Sequence, residues 1–283
     1  MKKYLYSLFI AALVIGCNVN EENLPTQKYK EIITKYTEVK EIISQEVDDT
    51  FYVYIRLPKN YVEENKRYPV LYLLDGDIAF NMATSIVRYL QFGEDVHDLI
   101  IVAPAYGTLL NDRETNFRER DYTISEVDRW IGSGGAANYL NFIKKELIPL
   151  IDYSYRTNNY RILNGFSLGG LFTIYTLLND PDLFNDYIVG SPYLFNDLDI
   201  LIARSNDILG FNQDTKLFIT VGELEDIEIY HKPINSLFEA LKNKNGLEVK
   251  FTEFKNGTHF TCPPEALVYG LKFIFNDYKI SEL

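Results

Sequence analysis

The sequence predicts an α/β fold: a mostly parallel central sheet with helices on both faces and an antiparallel strand pair at its N-terminal edge. Three observations carry this prediction. Short apolar runs alternate along the chain with helix-periodic segments, the pattern of strands joined by crossover helices. Residues 69–74 are continuously apolar, as expected of a strand covered on both faces. Residues 164–170 form a glycine-rich stretch between an apolar run, 160–163, and the helix-spaced segment 171–178, so strand, sharp turn and helix follow one another. At 283 residues, 47% hydrophobic and 24% charged, the chain is long enough for one large core.

Taken in order, residues 1–16 have a basic start at Lys2 and Lys3, an apolar run over 8–15, and a small residue, Gly16, before Cys17. That is the layout of a secretory leader, too short to span a bilayer comfortably. The stretch Leu13-Val14-Ile15-Gly16-Cys17 resembles the lipobox of bacterial lipoproteins. The resemblance implies cleavage before Cys17, acylation of that residue, and export to the cell envelope on the periplasmic face or cell surface. A polar tether is expected over 17–35, with Pro25 inside it, and the folded domain over 36–283.

Within the domain, 39–45 and 51–57 read as an antiparallel pair at a sheet edge. Residues 69–74 form a central strand that runs into Asp75-Gly76-Asp77 and a helix over 79–91. Residues 99–103 give the next buried strand, and the polar segment 106–130 is a long loop of the kind that serves a site. Gly134 and Gly135 precede a helix over 138–151. Strands are then expected at 160–163, 187–189, 216–221 and 249–254, with helices over 171–178, 233–242 and 264–275. No repeat interrupts this alternation.

The formal net charge is −12, and loss of Lys2 and Lys3 with the leader makes it −14. A polyanion such as nucleic acid is therefore excluded as a partner. Cys17 and Cys262 are the only cysteines, too few for a disulfide framework. Cys262 reads as a small apolar filler.

Gly165, Ser167 and Gly169 fit G-x-S-x-G, the nucleophile elbow, in which serine sits on a strained turn and small neighbours let the helix start close to the strand. A serine hydroxyl needs a base near neutral pH. Of three histidines, His259 follows the last strand, at the carboxyl ends where ligands bind in such sheets. His97 precedes a strand and His231 lies some way after one, so neither fits. A carboxylate must orient the base, and Glu223, Glu225, Asp226 and Glu228 compete on the loop after 216–221. Glu225, three residues past Gly222, is the choice and Asp226 the runner-up. Oxyanion donors are expected from the backbone N–H groups of Leu168, directly after the nucleophile, and Asp77.

The stretches Tyr72-Leu73-Leu74-Asp75-Gly76, Arg118-Glu119-Arg120-Asp121-Tyr122-Thr123, Glu146-Leu147-Ile148-Pro149 and Gly165-Phe166-Ser167-Leu168-Gly169-Gly170, followed by Ser191-Pro192 and His259, resemble in kind and order the Putative esterase family, which includes esterase D and enterochelin-esterase-like proteins. The resemblance covers about 39–277. It implies an α/β-hydrolase fold, serine esterase activity without a cofactor, and nucleophile and base at Ser167 and His259. Many members carry aspartate at the acid position, where Glu225 stands here. Arg118, Arg120 and Asp121 match a family element near the active-site mouth, so each arginine is a candidate either to grip a substrate carboxylate or to hold the loop through Asp121. Tyr106, Tyr193 and Phe195, on loops after strands, are candidates to line an acyl pocket.

The expectation is a membrane-tethered esterase that forms an acyl-enzyme on acylated carbohydrate, siderophore-like or other extracellular esters. Its partners would be a small-molecule or carbohydrate ester and, through a lipid anchor at Cys17, the membrane. Rival readings are a binding lipoprotein that keeps the fold without turnover, and a peptidase or acyltransferase using the same triad.

Overall fold

The computed structural model describes residues 34–108 and 115–276. The predicted leader, Cys17 and nearly all of the tether lie outside the described residues. The compact unit begins at Lys35.

Strands β1 (Thr37–Ser44), β2 (Asp49–Arg56), β3 (Tyr68–Leu73), β4 (Ile100–Ala105), β5 (Thr157–Phe166), β6 (Asp186–Gly190), β7 (Gly210–Gly222) and β8 (Asn245–Phe254) form one sheet in the order β1-β2-β4-β3-β5-β6-β7-β8. The pairs β1/β2 and β2/β4 are antiparallel, and every later pairing is parallel. Every residue of β3, β4 and β6 is buried, which is why, apart from Asp186 at the start of β6, their sequences are apolar without alternation. The edge strand β1 instead leaves Val39 and Ile43 exposed.

Helices α1 (Gly76–Phe92) and α8 (Cys262–Phe275) cover one face. There Phe80, Ala83, Val87, Leu267 and Leu271 pack on Leu71, Ile101, Ile162 and Ile188 of the sheet. The opposite face, which presents Val70, Tyr72, Leu163 and Val189, is covered by α2 (Arg118–Tyr122), α3 (Ala136–Phe142), α4 (Ile148–Ser154), α5 (Leu168–Asn179), α6 (Leu198–Asp207) and α7 (Lys232–Leu241). Adjacent residues of one strand thus serve different cores, as period-two side-chain alternation demands.

The structure adds three features to the sequence reading. The helix expected over 138–151 begins at Ala136 and runs to Ser154 through a π-helical turn, Ile143–Leu147. Pro149 has no N–H for the turn before it and its ring crowds that turn's carbonyl, so the wider turn absorbs the mismatch. The same device recurs at Ile227–His231, just before Pro233. Helix α6 and the five-residue α2 stand where only loop was expected.

The crossover after β3 runs to β4 on one side, and the crossover after its neighbour β5 runs to β6 on the other. A cleft at the carboxyl ends of β3 and β5 follows from that reversal. Helices α1 and α5 both start there.

Candidate active site

Ser167 has φ 58° and ψ −117°, a backbone region that L-residues other than glycine rarely occupy. Several contacts over-determine it. The Ser167 N–H donates to the Gly190 carbonyl at 3.0 Å, and the Ser167 carbonyl accepts from the N–H groups of Leu171 and Tyr193, both at 3.0 Å. The glycines flanking it are required by space. A Cβ on Gly165 would lie 2.2 Å from the Gly169 carbonyl oxygen, and one on Gly170 would lie 3.0 Å from Pro192 Cα. The turn lifts Ser167 to the start of α5, where it is half-buried, with Leu168 as the first helical residue.

His259 reaches this end of the sheet on the loop after β8, and Glu225 on the loop after β7. The two loops are tied by backbone hydrogen bonds from Glu223 N–H to Phe254 and from Leu224 N–H to Gly257. His259 Nδ1 is 3.1 Å from Glu225 Oε2. The other oxygen, Oε1, accepts from Ser191 Oγ at 2.6 Å and from the Gly222 N–H at 3.1 Å. Burial alone would raise this carboxyl, but the bonds from His259, Ser191 and Gly222 outweigh it and hold Glu225 below the ordinary carboxylate range.

The competing acids have other partners. Asp226 Oδ1 accepts from the N–H groups of Glu228 and Ile229 and so caps the π-helical turn. Glu223 accepts from the Asn256 N–H at 2.6 Å, and Glu228 pairs with Lys232. His231 Nε2 lies 3.1 Å from the Gly222 carbonyl, and the His97 ring packs edge-on against Phe275. Cys262 is fully buried under the two loops, its Sγ 2.8 Å and 2.7 Å from where Cβ atoms on Gly222 and Gly257 would stand. Burial pushes the thiol up to about 11, so it serves as the filler expected.

Asp77 lies in the first turn of α1, whose opening N–H groups have no partner within the helix. Its carboxylate accepts from the N–H groups of Tyr106, Gly107 and Thr108 at 2.8, 2.9 and 3.1 Å and fixes the turn after β4. The starts of α1 and α5 adjoin: Asp75 Oδ2 is 3.1 Å from where a Cβ on Gly169 would be.

Two expected substrate contacts are overturned. Arg120 is spent on Asp121 and Asp49, at 2.7 and 2.9 Å. Tyr106 is buried in the core and donates its hydroxyl to Asp121 at 2.8 Å, because the turn that Asp77 caps folds the ring inward. Arg118 grips Asp75 through Nε and Nη2 at 2.7 and 2.9 Å, so it holds the loop after β3 and its two best donors are already engaged. Tyr193 does sit beside the serine. Its ring is edge-on to Trp130 and Tyr230, and its hydroxyl accepts from Arg129 at 2.7 Å. Phe195 is exposed.

Sequence reasoning missed Tyr230. Its ring lies 4.8 Å from that of His259, which also contacts Phe166 at 4.9 Å. The signal was slight: one tyrosine among 22, five residues past the acid.

A strained serine, a carboxylate-oriented histidine and two adjoining helix N-termini form an arrangement suited to acyl transfer. The chain is 28% identical over 262 residues to the ferri-bacillibactin esterase BesA of Bacillus subtilis, covering 84% of this chain and 89% of that protein. It is 31% identical over 140 residues to the siderophore triacetylfusarinine C esterase of Aspergillus fumigatus, 47% of each chain. The crystal structure of an IroE-like serine hydrolase from Shewanella oneidensis superposes with a TM-score of 0.76 at 28% identity, covering 86% of this chain and 81% of that one. The Putative esterase family matches residues 44–232. With more than half its length matched and an α/β-hydrolase fold around these residues, the chain belongs to the Putative esterase family and is an enzyme acting on ester bonds.

Proposed function

We propose that this protein is a serine esterase that cleaves carboxylic esters through an acyl-enzyme. Ser167 attacks the ester carbonyl. His259 takes the serine proton and returns it to the departing alcohol, and Glu225 fixes the imidazole tautomer by accepting from Nδ1–H. The N–H groups of Leu168 and Asp77 receive the negative charge that develops on the carbonyl oxygen. The 3.1 Å contact between His259 Nδ1 and Glu225 Oε2 carries the reading, because it leaves Nε2 as the basic nitrogen.

The natural substrate is a siderophore-type ester. This rests on the relatives named above, two of which are esterases of ferri-bacillibactin and triacetylfusarinine C. Acylated carbohydrate is the competing class. The lipobox-like leader supports export and anchoring at Cys17 on the envelope. Turnover of a short-chain p-nitrophenyl ester by the full-length protein, set beside Ser167→Ala and His259→Ala, tests the chemistry. Loss of more than a thousandfold in both variants is expected; wild-type rates in either would refute it. Ferric siderophore esters and acetylated sugars are then compared by kcat/KM, and preference for the sugars would reject the substrate assignment.

A further inference from the structure

Ser191 lies one residue past β6 and is fully buried. Its φ is 36°, in the left-handed region that residues with a Cβ seldom enter. The short segment it belongs to is fastened on both sides. Toward the nucleophile, the Gly190 carbonyl accepts from the Ser167 N–H and the Tyr193 N–H donates to the Ser167 carbonyl, both at 3.0 Å. Toward the acid, the Ser191 N–H donates to the Thr220 carbonyl of β7 at 2.9 Å, and the Ser191 hydroxyl donates to Glu225 Oε1 at 2.6 Å. Residues 190–193 therefore bridge the turn that carries the nucleophile and the loop that carries the acid.

A glutamate in the acid position needs such a bridge. Its side chain has one more rotatable bond than that of aspartate, so its own backbone fixes the carboxylate less well. The Gly222 N–H reaches Oε1 at 3.1 Å, but it belongs to the same turn, which the Glu225 N–H closes onto the Gly222 carbonyl at 3.1 Å. That bond relates the carboxylate to its own loop and to nothing else. The Ser191 hydroxyl arrives from the end of another strand. With Oε1 held from two directions, Oε2 is left to meet His259 Nδ1. Only 1% of the Glu225 side chain is exposed, so solvent has little access to replace a lost donor.

We propose that Ser191 is a positioning residue for the reaction: its hydroxyl sets Glu225 relative to the Ser167 turn and acts on the nucleophile only through Glu225 and His259. The inference rests on the serine esterase reading. The strained backbone at φ 36° is then part of the device, since it aims the hydroxyl at the carboxylate.

Phosphonylation of Ser167 by a fluorophosphonate tests this in the full-length protein, because it is a single step. Ser167 Oγ bonds to phosphorus, its proton passes to His259, and fluoride leaves. Ser191→Ala keeps the Cβ and loses only the hydroxyl, and should lower the second-order rate about tenfold, the low end for a hydrogen bond to a charged group. Glu225→Ala should lower it further. In the Glu225→Ala background, Ser191→Ala should change the rate by less than about twofold, since its route to the nucleophile is already gone. Ser191→Gly, which relieves the left-handed conformation, carries the same cycle should the alanine variant not fold. A wild-type rate in the single Ser191 variants would overturn the proposal. So would a loss of the same size in the Glu225→Ala background, the mark of a serine that only supports the fold. Absence of any Ser167 adduct on the wild-type protein would show instead that the serine esterase reading had failed, and this proposal with it.

Discussion

At Gly165 a single methyl group is too much. A Cβ there would also lie 2.4 Å from Thr173 Oγ1, which donates to the Gly169 carbonyl and cannot swing away without losing that bond. Gly165→Ala should destabilise the fold by about 3 kcal/mol, the upper range for overpacking a core, seen as a lower midpoint in urea unfolding. Glu225 makes a prediction in pH. Its carboxyl is held below the ordinary 4.5 in the folded state, so its bonds stabilise the fold fully above that value and lose their effect as pH falls toward the folded-state value. Glu225→Gln should therefore show a Tm deficit at neutral pH that shrinks as acid is added below about pH 4.5. A deficit independent of pH would mean that the carboxylate charge is not what the loop uses. Ser167, His259 and Glu225 were legible in the sequence because each follows a strand within a few residues, where backbone connectivity alone fixes which end of the sheet they reach. Tyr230 was not, since its placement depends on a turn widened by one residue. Tyr106 misled for a related reason: it too follows a strand, but the hydrogen bonds of Asp77 turn it inward.

The start of α1 is built around a buried ion pair. Asp75 caps the helix from a left-handed conformation, φ 56°, and its carboxylate accepts from Nε and Nη2 of Arg118. Side-chain exposures of 16% for Arg118 and 10% for Asp75 leave little water to replace either partner. Arg118→Met should cost about 3 kcal/mol by stranding the Asp75 charge, and adding Asp75→Asn should restore a good part of that loss. Additive losses in the double variant would show that the pair is not coupled. Strands and long helices were visible in advance because their burial is periodic or complete. Helix α6 was not, since only Leu201 and Ser205 along it are buried and so narrow a stripe leaves little trace in the sequence. The π-helical turns follow from prolines that were plainly visible, but a proline says only that a helix must adjust, not how.

For the whole molecule, sheet order is the feature that assembles the site. The reversal between β3 and β5 sets the loop after β3, the start of α5 and the loops after β7 and β8 at one end, while His97 packs against Phe275 of α8. Alternation of strands and helices announced this architecture, though not the second antiparallel pairing, β2 with β4, because register between distant segments leaves no local pattern. The anchoring proposal is also a property of the whole chain. Cys17→Ser should abolish labelled-palmitate incorporation and release the protein from the membrane fraction, and retention of label would place acylation elsewhere. The central claim is that Ser167 is an activated nucleophile. Treating the full-length protein with a fluorophosphonate and mapping the adduct by peptide mass tests it most directly. The account predicts one adduct, on Ser167, that is absent from Ser167→Ala and forms far more slowly in His259→Ala. No adduct on the wild-type protein, or an adduct on another residue, would contradict it.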